Sequence, residues 1–180
     1  ADNQWIDLNI ALANEIALLS DKLNIDALEV IKASNSLSKG QHFVNILAPS
    51  IGVGGYCLTK DPWFFHKIGQ ENGLEIQTPL YSRAVNDRMP EFSFQIVREC
   101  LEQSQVEMRD ARVAVLGLAF KNDTGDVRST PVEPFLAMLR ESGCSITVFD
   151  PLVGRDNLGR ITDAPIGQDI FSTVEGADPI

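Results

Sequence analysis

Up to about residue 103 the apolar patterns of this chain are helical in spacing. After the polar segment Met108-Arg109-Asp110-Ala111-Arg112, the run Val113-Ala114-Val115-Leu116-Gly117 then reads as a short buried parallel strand. This switch of period divides the chain into a helical part and an α/β part. In the first part, Trp5, Leu8, Leu12, Ile16, Leu19 and Leu23 recur on one amphipathic helix from Gln4 to about Asn24, whose apolar surface is interrupted by Asn3, Asn9 and Asn14. That helix starts almost at residue 1 without a clear cap, so its natural start is expected upstream. Asp26 opens a second helix through about Ser34. Residues 35–57, rich in Ser, Gly, Asn and Pro, read as an ordered loop. Asp61 begins a helix to Gln70, Thr78-Pro79 begins another, and Pro90 kinks or restarts it before it runs on to Gln103.

In the second part, Thr130-Pro131-Val132-Glu133 has the form of a capping box, Gly143 stops the helix near Ser142, and Ile146–Phe149 supplies the next strand of a βαβ unit. A last helix is expected around Asp169–Val174, and a third strand at Gly176-Ala177-Asp178-Pro179-Ile180. The expected fold is α/β overall: an all-α helical domain at 1–106, followed by a partial Rossmann-like βαβ domain at 107–180 that is truncated or completed by another chain.

Lys plus Arg number 15 against 25 Asp plus Glu, a net charge of −10, and the cations are not clustered; a nucleic-acid backbone would be repelled. One anionic small molecule is still compatible, since it needs only a few placed cations and backbone amides. No apolar run reaches the roughly 20 residues of a membrane span, and the N-terminus lacks the pattern of a signal peptide, so a cytoplasmic protein is expected. Cys57, Cys100 and Cys144 are odd in number and widely spaced, and with two histidines in the chain they suggest neither disulfides nor a zinc site. Cys100 and Cys144 read as buried packing residues.

Cys57 has different company. In Ser50-Ile51-Gly52-Val53-Gly54-Gly55-Tyr56-Cys57-Leu58-Thr59-Lys60-Asp61-Pro62, three glycines allow a ligand to approach the backbone closely. Lys60 and the N-terminus of a helix opening at Asp61-Pro62 would favour a thiolate, and Asp61 could handle a water or a proton. On the residues alone two readings stand: a reactive site, or a Gly-rich turn with a buried Cys beside an N-cap Asp. The dinucleotide fingerprint GxGxxG is not met here.

The segment GVGGYCLTKDP closely resembles the active-site signature of the UDP-glucose/GDP-mannose dehydrogenase family. Asn3 with the segment NIALANEI (9–16), the segment AVND (84–87) and GLAFKNDTGDVRSTP (117–131) extend the resemblance over nearly the whole chain. It implies an NAD-dependent nucleotide-sugar 6-dehydrogenase that oxidises a C6 alcohol to a carboxylate with two NAD in succession. Cys57 would be the nucleophile that forms a thiohemiacetal and then a thioester. Asp61 would orient or activate the hydrolytic water, and Asn3 would bind the substrate and help stabilise oxyanions. Lys60 and Arg128 would contact the cofactor, and Gly52, Gly54, Gly55, Phe120 and Lys121 the sugar nucleotide.

The resemblance further implies a UDP-sugar substrate, a homodimer through the helical domain, and an NAD-binding domain and a proton-transferring Lys before residue 1, so this chain alone is expected to have little or no activity. One departure is Phe43 before Val44-Asn45-Ile46-Leu47, where many relatives acting on acetamido sugars carry an Arg; His42 could partly substitute. Among sugars the acetamido class comes first. The competing reading is a non-catalytic dimerisation or nucleotide-sugar-binding module, which has no use for Cys57 beside Asp61.

Overall fold

The computed structural model describes residues 1–178, which divide into a unit beginning at Ala1 and ending at Met89 and a second unit from Pro90 onward. The first holds α1 (Asp2–Leu23), α2 (Ala27–Asn35), a hairpin of β1 (Ser38–Lys39) and β2 (His42–Phe43), α3 (Tyr56–Glu71) and the first half of α4 (Thr78–Gln103). The second holds the rest of α4, β3 (Arg112–Leu116), α5 (Val132–Glu141), β4 (Ser145–Phe149), α6 (Arg155–Ile161) and α7 (Ile170–Val174). The α/β expectation, helices first and a βαβ unit after, holds.

α1 has two contrasting faces. Trp5, Leu8, Leu12, Leu19 and Leu23 are exposed, whereas Gln4, Asp7, Ala11 and Asn14, at spacings of three and four, are buried within the unit. The small and polar face is therefore the one that packs here, and the asparagines that interrupt the apolar stripe belong to the packing. Asp26 caps α2 as expected, accepting from Leu28 N at 2.8 Å and Glu29 N at 3.3 Å.

One helix start and one expected break differ from expectation. α3 begins at Tyr56 rather than Asp61, with Gly55 at φ 79 as its cap residue, a conformation that favours glycine. Pro62 is thus the seventh residue of the helix, fully buried, and Leu58 loses the usual N–H partner of its carbonyl there. α4 runs unbroken through Pro90.

In the second unit β3 and β4 pair in parallel, Arg112 opposite Ser145 through Leu116 opposite Phe149. Val113, Val115 and Val148 of the strands are buried, as are Phe135, Leu136 and Leu139 of α5, the helix that joins them. Complete burial of one such side chain is worth about 1.5–3 kcal/mol, so this face supplies the unit's core. The sheet continues at both edges by single links. Ile166 bridges Val148 in parallel, and Asp178 N donates to Arg112 O at 2.9 Å. Of the third strand expected at 176–180, residues 176–178 form no strand beyond that last contact, and Pro179 and Ile180 lie outside the described residues.

The capping box expected at Thr130 does not form. Thr130 Oγ1 instead donates to Leu118 O at 2.7 Å, tying the start of α5 to the end of β3. The box that does form joins Asp169 and Ser172 at the start of α7. α6 has no counterpart in the sequence reading, because Arg155-Asp156-Asn157-Leu158-Gly159-Arg160-Ile161 carries little apolar periodicity; Leu158 alone anchors it, fully buried.

Candidate active site

Residues 44–52 connect the hairpin to α3 without a strand partner, so their backbone groups need other hydrogen-bond partners. Asparagine side chains supply them. Asn35 accepts from Ile46 N at 2.7 Å and donates to Ile46 O at 2.8 Å, while Asn9 donates to Asn45 O at 2.7 Å and accepts from Leu47 N at 2.9 Å. In an extended segment the N–H and C=O of one residue point to one edge, and its neighbours' groups to the other. Asn35 and Asn9 therefore stand where two flanking strands would.

Asn14 carries the same device further along, accepting from Ser50 N at 2.8 Å. Ser50 Oγ then donates to Gly52 O at 2.7 Å. Residues 52–55 follow, all buried, and lead directly into α3.

Cys57 is the second residue of α3 and is exposed. The reading of a buried Cys beside an N-cap Asp is thereby excluded: Asp61 lies one helical turn along from Cys57, on the same side of α3. Asp61 Oδ2 accepts from Asn3 Nδ2 at 2.7 Å, across 58 residues of sequence. Three expected site residues are thus gathered by two helices. Lys60 is exposed, its ammonium 5.4 Å from the centroid of the Phe64 ring, within the range of a cation–π contact. The carbonyl of Gly55 is taken by Thr59, whose Oγ1 donates to it at 2.7 Å. Phe43 is exposed on β2 beside His42, which pairs with Lys39 across the hairpin.

The other two cysteines differ. Cys100 is half-buried rather than buried as expected; Cys144 is buried, donates to Leu139 O at 3.2 Å, and has its thiol pushed up by that burial.

In the second unit the expected binding residues lie on the loop between β3 and α5. Phe120 is partly buried and its N–H donates to Asp126 O at 3.1 Å; Lys121 is exposed, and its carbonyl accepts from Thr124 Oγ1 at 3.0 Å. Arg128 forms a fork with Asp126, Nε at 2.9 Å and Nη2 at 2.5 Å from its oxygens, and this hydrogen-bonded contact holds the Asp126 carboxyl down to about 2. The loop presses on the chain after β4: a Cβ on Gly125 would fall 2.2 Å from Leu152 O, so only glycine fits.

Sequence reasoning missed Asp150, at the end of β4. Its Oδ2 accepts from Leu118 N at 2.8 Å and Ala119 N at 3.2 Å, and its Oδ1 from Leu152 N at 2.9 Å and Val153 N at 3.1 Å. Burial pushes this carboxyl up, and the four backbone donors outweigh it, leaving it below the usual carboxylate range. Only its place before Pro151 at a strand end could have singled it out. Among the described residues no cluster of His, Cys, Asp and Glu has a metal-binding arrangement, and no helix is long and apolar enough to cross a membrane.

Comparison with known proteins matches residues 1–88 to the central domain of the UDP-glucose/GDP-mannose dehydrogenase family and residues 114–180 to that family's UDP binding domain. A UDP-N-acetyl-D-mannosamine dehydrogenase of Pyrococcus horikoshii is 36% identical over 181 residues, covering 99% of this chain and 39% of the relative. One of the same name from Campylobacter jejuni is 38% identical over 151 residues, 83% of this chain and 34% of the relative. The crystal structure of an NDP-N-acetyl-D-galactosaminuronic acid dehydrogenase from Methanosarcina mazei Go1 superposes with a TM-score of 0.87 at 31% identity, over 99% of this chain and 38% of that one. The chain thus spans between a third and two fifths of the length of these relatives.

Proposed function

Because this chain belongs to the UDP-glucose/GDP-mannose dehydrogenase family, we propose that it is the central and UDP-binding part of an NAD-dependent nucleotide-sugar 6-dehydrogenase, with Cys57 as the nucleophile of the second oxidation. The hydrogen bond from Asn3 to Asp61, 2.7 Å long and beside an exposed Cys57, is the observation that carries this reading. It joins residues 58 apart in sequence into one cluster with a nucleophile, a carboxylate and an amide.

In the proposed mechanism the Cys57 sulfur adds to the C6 aldehyde, forming a C–S bond and a thiohemiacetal whose carbon now bears a transferable hydride. Asn3 supports the oxygen at that carbon through its amide. After hydride loss the carbon is a thioester; water, oriented by Asp61, breaks the C–S bond, releasing the carboxylate and restoring the thiol. NAD+, when bound, accepts the hydride of each of the two oxidations. Lys60, exposed beside Cys57, fits contact with an anionic dinucleotide, whereas Arg128 would first have to exchange its fork with Asp126. Gly52, Gly54 and Gly55 offer main chain to the sugar, and Phe120 and Lys121 the nucleotide contact.

The names of the relatives support a UDP-acetamido sugar as the first substrate to test. We divide the chain at 1–106, the helical domain, and 107–180, the UDP-sugar domain. The exposed apolar face of α1 supports a homodimer through that helical domain.

The test uses the complete dehydrogenase carrying this segment, assayed for NAD reduction with UDP-N-acetylmannosamine, UDP-N-acetylglucosamine and UDP-glucose, and repeated with Cys57→Ser. The variant is expected to lose carboxylate formation. Carboxylate made at the parental rate would overturn the thioester reading.

A further inference from the structure

Asp7 and Arg83 form an ion pair with side chains 0% and 3% exposed, 2.7 Å apart. A pair this buried is often no better for stability than apolar residues in its place, so what it holds is the more informative question. Asp7 accepts from Ser82 Oγ at 2.5 Å and from Asn86 Nδ2 at 2.8 Å, and Arg83 also reaches Asp87. Asn86, its amide fixed by Asp7, accepts from Asn14 Nδ2 at 2.9 Å. That donation orients the Asn14 amide and leaves its oxygen toward Ser50 N, 2.8 Å away. Asp7, Asn14, Ser82 and Asn86 are all buried to 1% exposure or less, so each link is held against exchange with water.

We propose that Asn14 is a positioning residue for Cys57, carrying the fixed geometry of the Asp7–Arg83 pair through Ser50 into the glycine segment that opens α3. This rests on the reading of Cys57 as the nucleophile. Ser50 closes its turn on Gly52, residues 52–55 are buried, and Cys57 stands two residues beyond. The Asn14 side chain, on α1, bonds both to α4 and to this segment. The segment sets where the first turn of α3 begins, so a shift of it moves Cys57, which stands in that turn, against Asn3 of α1, whose bond to Asp61 lies one turn further along α3.

Three variants separate positioning from stability. Asn14→Ala cuts the relay, Ser50→Ala removes only the turn onto Gly52, and Ile31→Ala loosens the same unit through a buried apolar residue remote from the relay in sequence. Deuterium exchange of amides 50–57 in this chain is expected to rise about tenfold in Asn14→Ala, the scale of one lost buried hydrogen bond. In the complete dehydrogenase kcat for carboxylate formation is expected to fall up to about 100-fold with KM nearly unchanged, since a displacement of about 1 Å can cost that much. Ser50→Ala should move both readouts in the same direction by less, and it decides alone if Asn14→Ala does not fold. The positioning role is overturned if exchange at 50–57 stays parental, or if Ile31→Ala lowers kcat as far. Cys57→Ser in the same assay keeps the two readings apart: carboxylate made without the thiol removes the nucleophile, whereas an intact thiol requirement with a silent relay removes only the positioning role.

Discussion

Replacing Asp7 by Asn should destabilise the first unit severely although the side chain keeps its shape. The change leaves the Arg83 guanidinium buried at 3% exposure without its buried counter-ion, and the new amide group must face donors from Ser82, Arg83 and Asn86. Breaking a buried pair from one side costs about 3–5 kcal/mol. Arg83 retains Asp87, whose side chain is 60% exposed, so the lower end, about 3 kcal/mol, is expected. With a urea slope of about 1–2 kcal/mol/M for a unit of this size, the midpoint should fall by about 2 M. Tryptophan fluorescence reads this unit alone, because the chain's two tryptophans, Trp5 and Trp63, both lie in it. The double variant Asp7→Leu/Arg83→Met should recover a good part of the loss, as apolar replacements of buried pairs do. A single-variant cost below about 1 kcal/mol, or a double variant as costly as the two singles added, would refute the claim that the pair is a coupled buried unit.

Two further outcomes follow from the described geometry. Asp150 has a folded-state value below its unfolded one, so its contribution to stability is present above about pH 4 and is lost as pH falls through the lower folded value; Asp150→Asn, which keeps one acceptor oxygen of two, should destabilise the second unit by about 1–3 kcal/mol at neutral pH and flatten that acid dependence, read by amide exchange in β3. Leu12→Glu, on the exposed apolar face of α1, should shift sedimentation toward monomer with an unchanged circular dichroism spectrum, and a parental sedimentation profile would remove that face from the interface.

The order of the longer elements was legible in the sequence because period carries it: helical spacing to about residue 103, then two short apolar runs flanking a helix with its own stop at Gly143; the hairpin at 38–43, inside the stretch read as a loop, and α6 were not. The start of α3 was not, because Asp61-Pro62 imitates a helix opening, and the true opening at Tyr56 is marked only by Gly55 in a conformation that sequence does not print. Which side of α1 packs was not legible either. Periodicity ranks residues by apolarity, whereas the buried side is chosen here by a hydrogen bond that Asp7 accepts from Ser82 and one that Asn14 donates to Asn86, each across more than 70 positions. Cys57, Asp61 and Asn3 could be picked out by pattern, but that Asn3 and Asp61 touch is information only the fold contains. Asp150 escaped notice because its work is done entirely on backbone N–H groups, which leave no side-chain signature.

Surface connections ordinarily absorb insertions and deletions, since nothing counts their residues. The connection at 44–52 is counted. Asn9 is matched to Asn45 and Leu47, Asn35 to Ile46, and Asn14 to Ser50, each through a specific backbone group. Adding or removing one residue between Leu47 and Ser50 would leave the first two matches in place and misalign the third. Length in this stretch is thus as constrained as side-chain identity is in a packed core, and a variant designer who treats it as spare loop would lengthen a connection that has no slack.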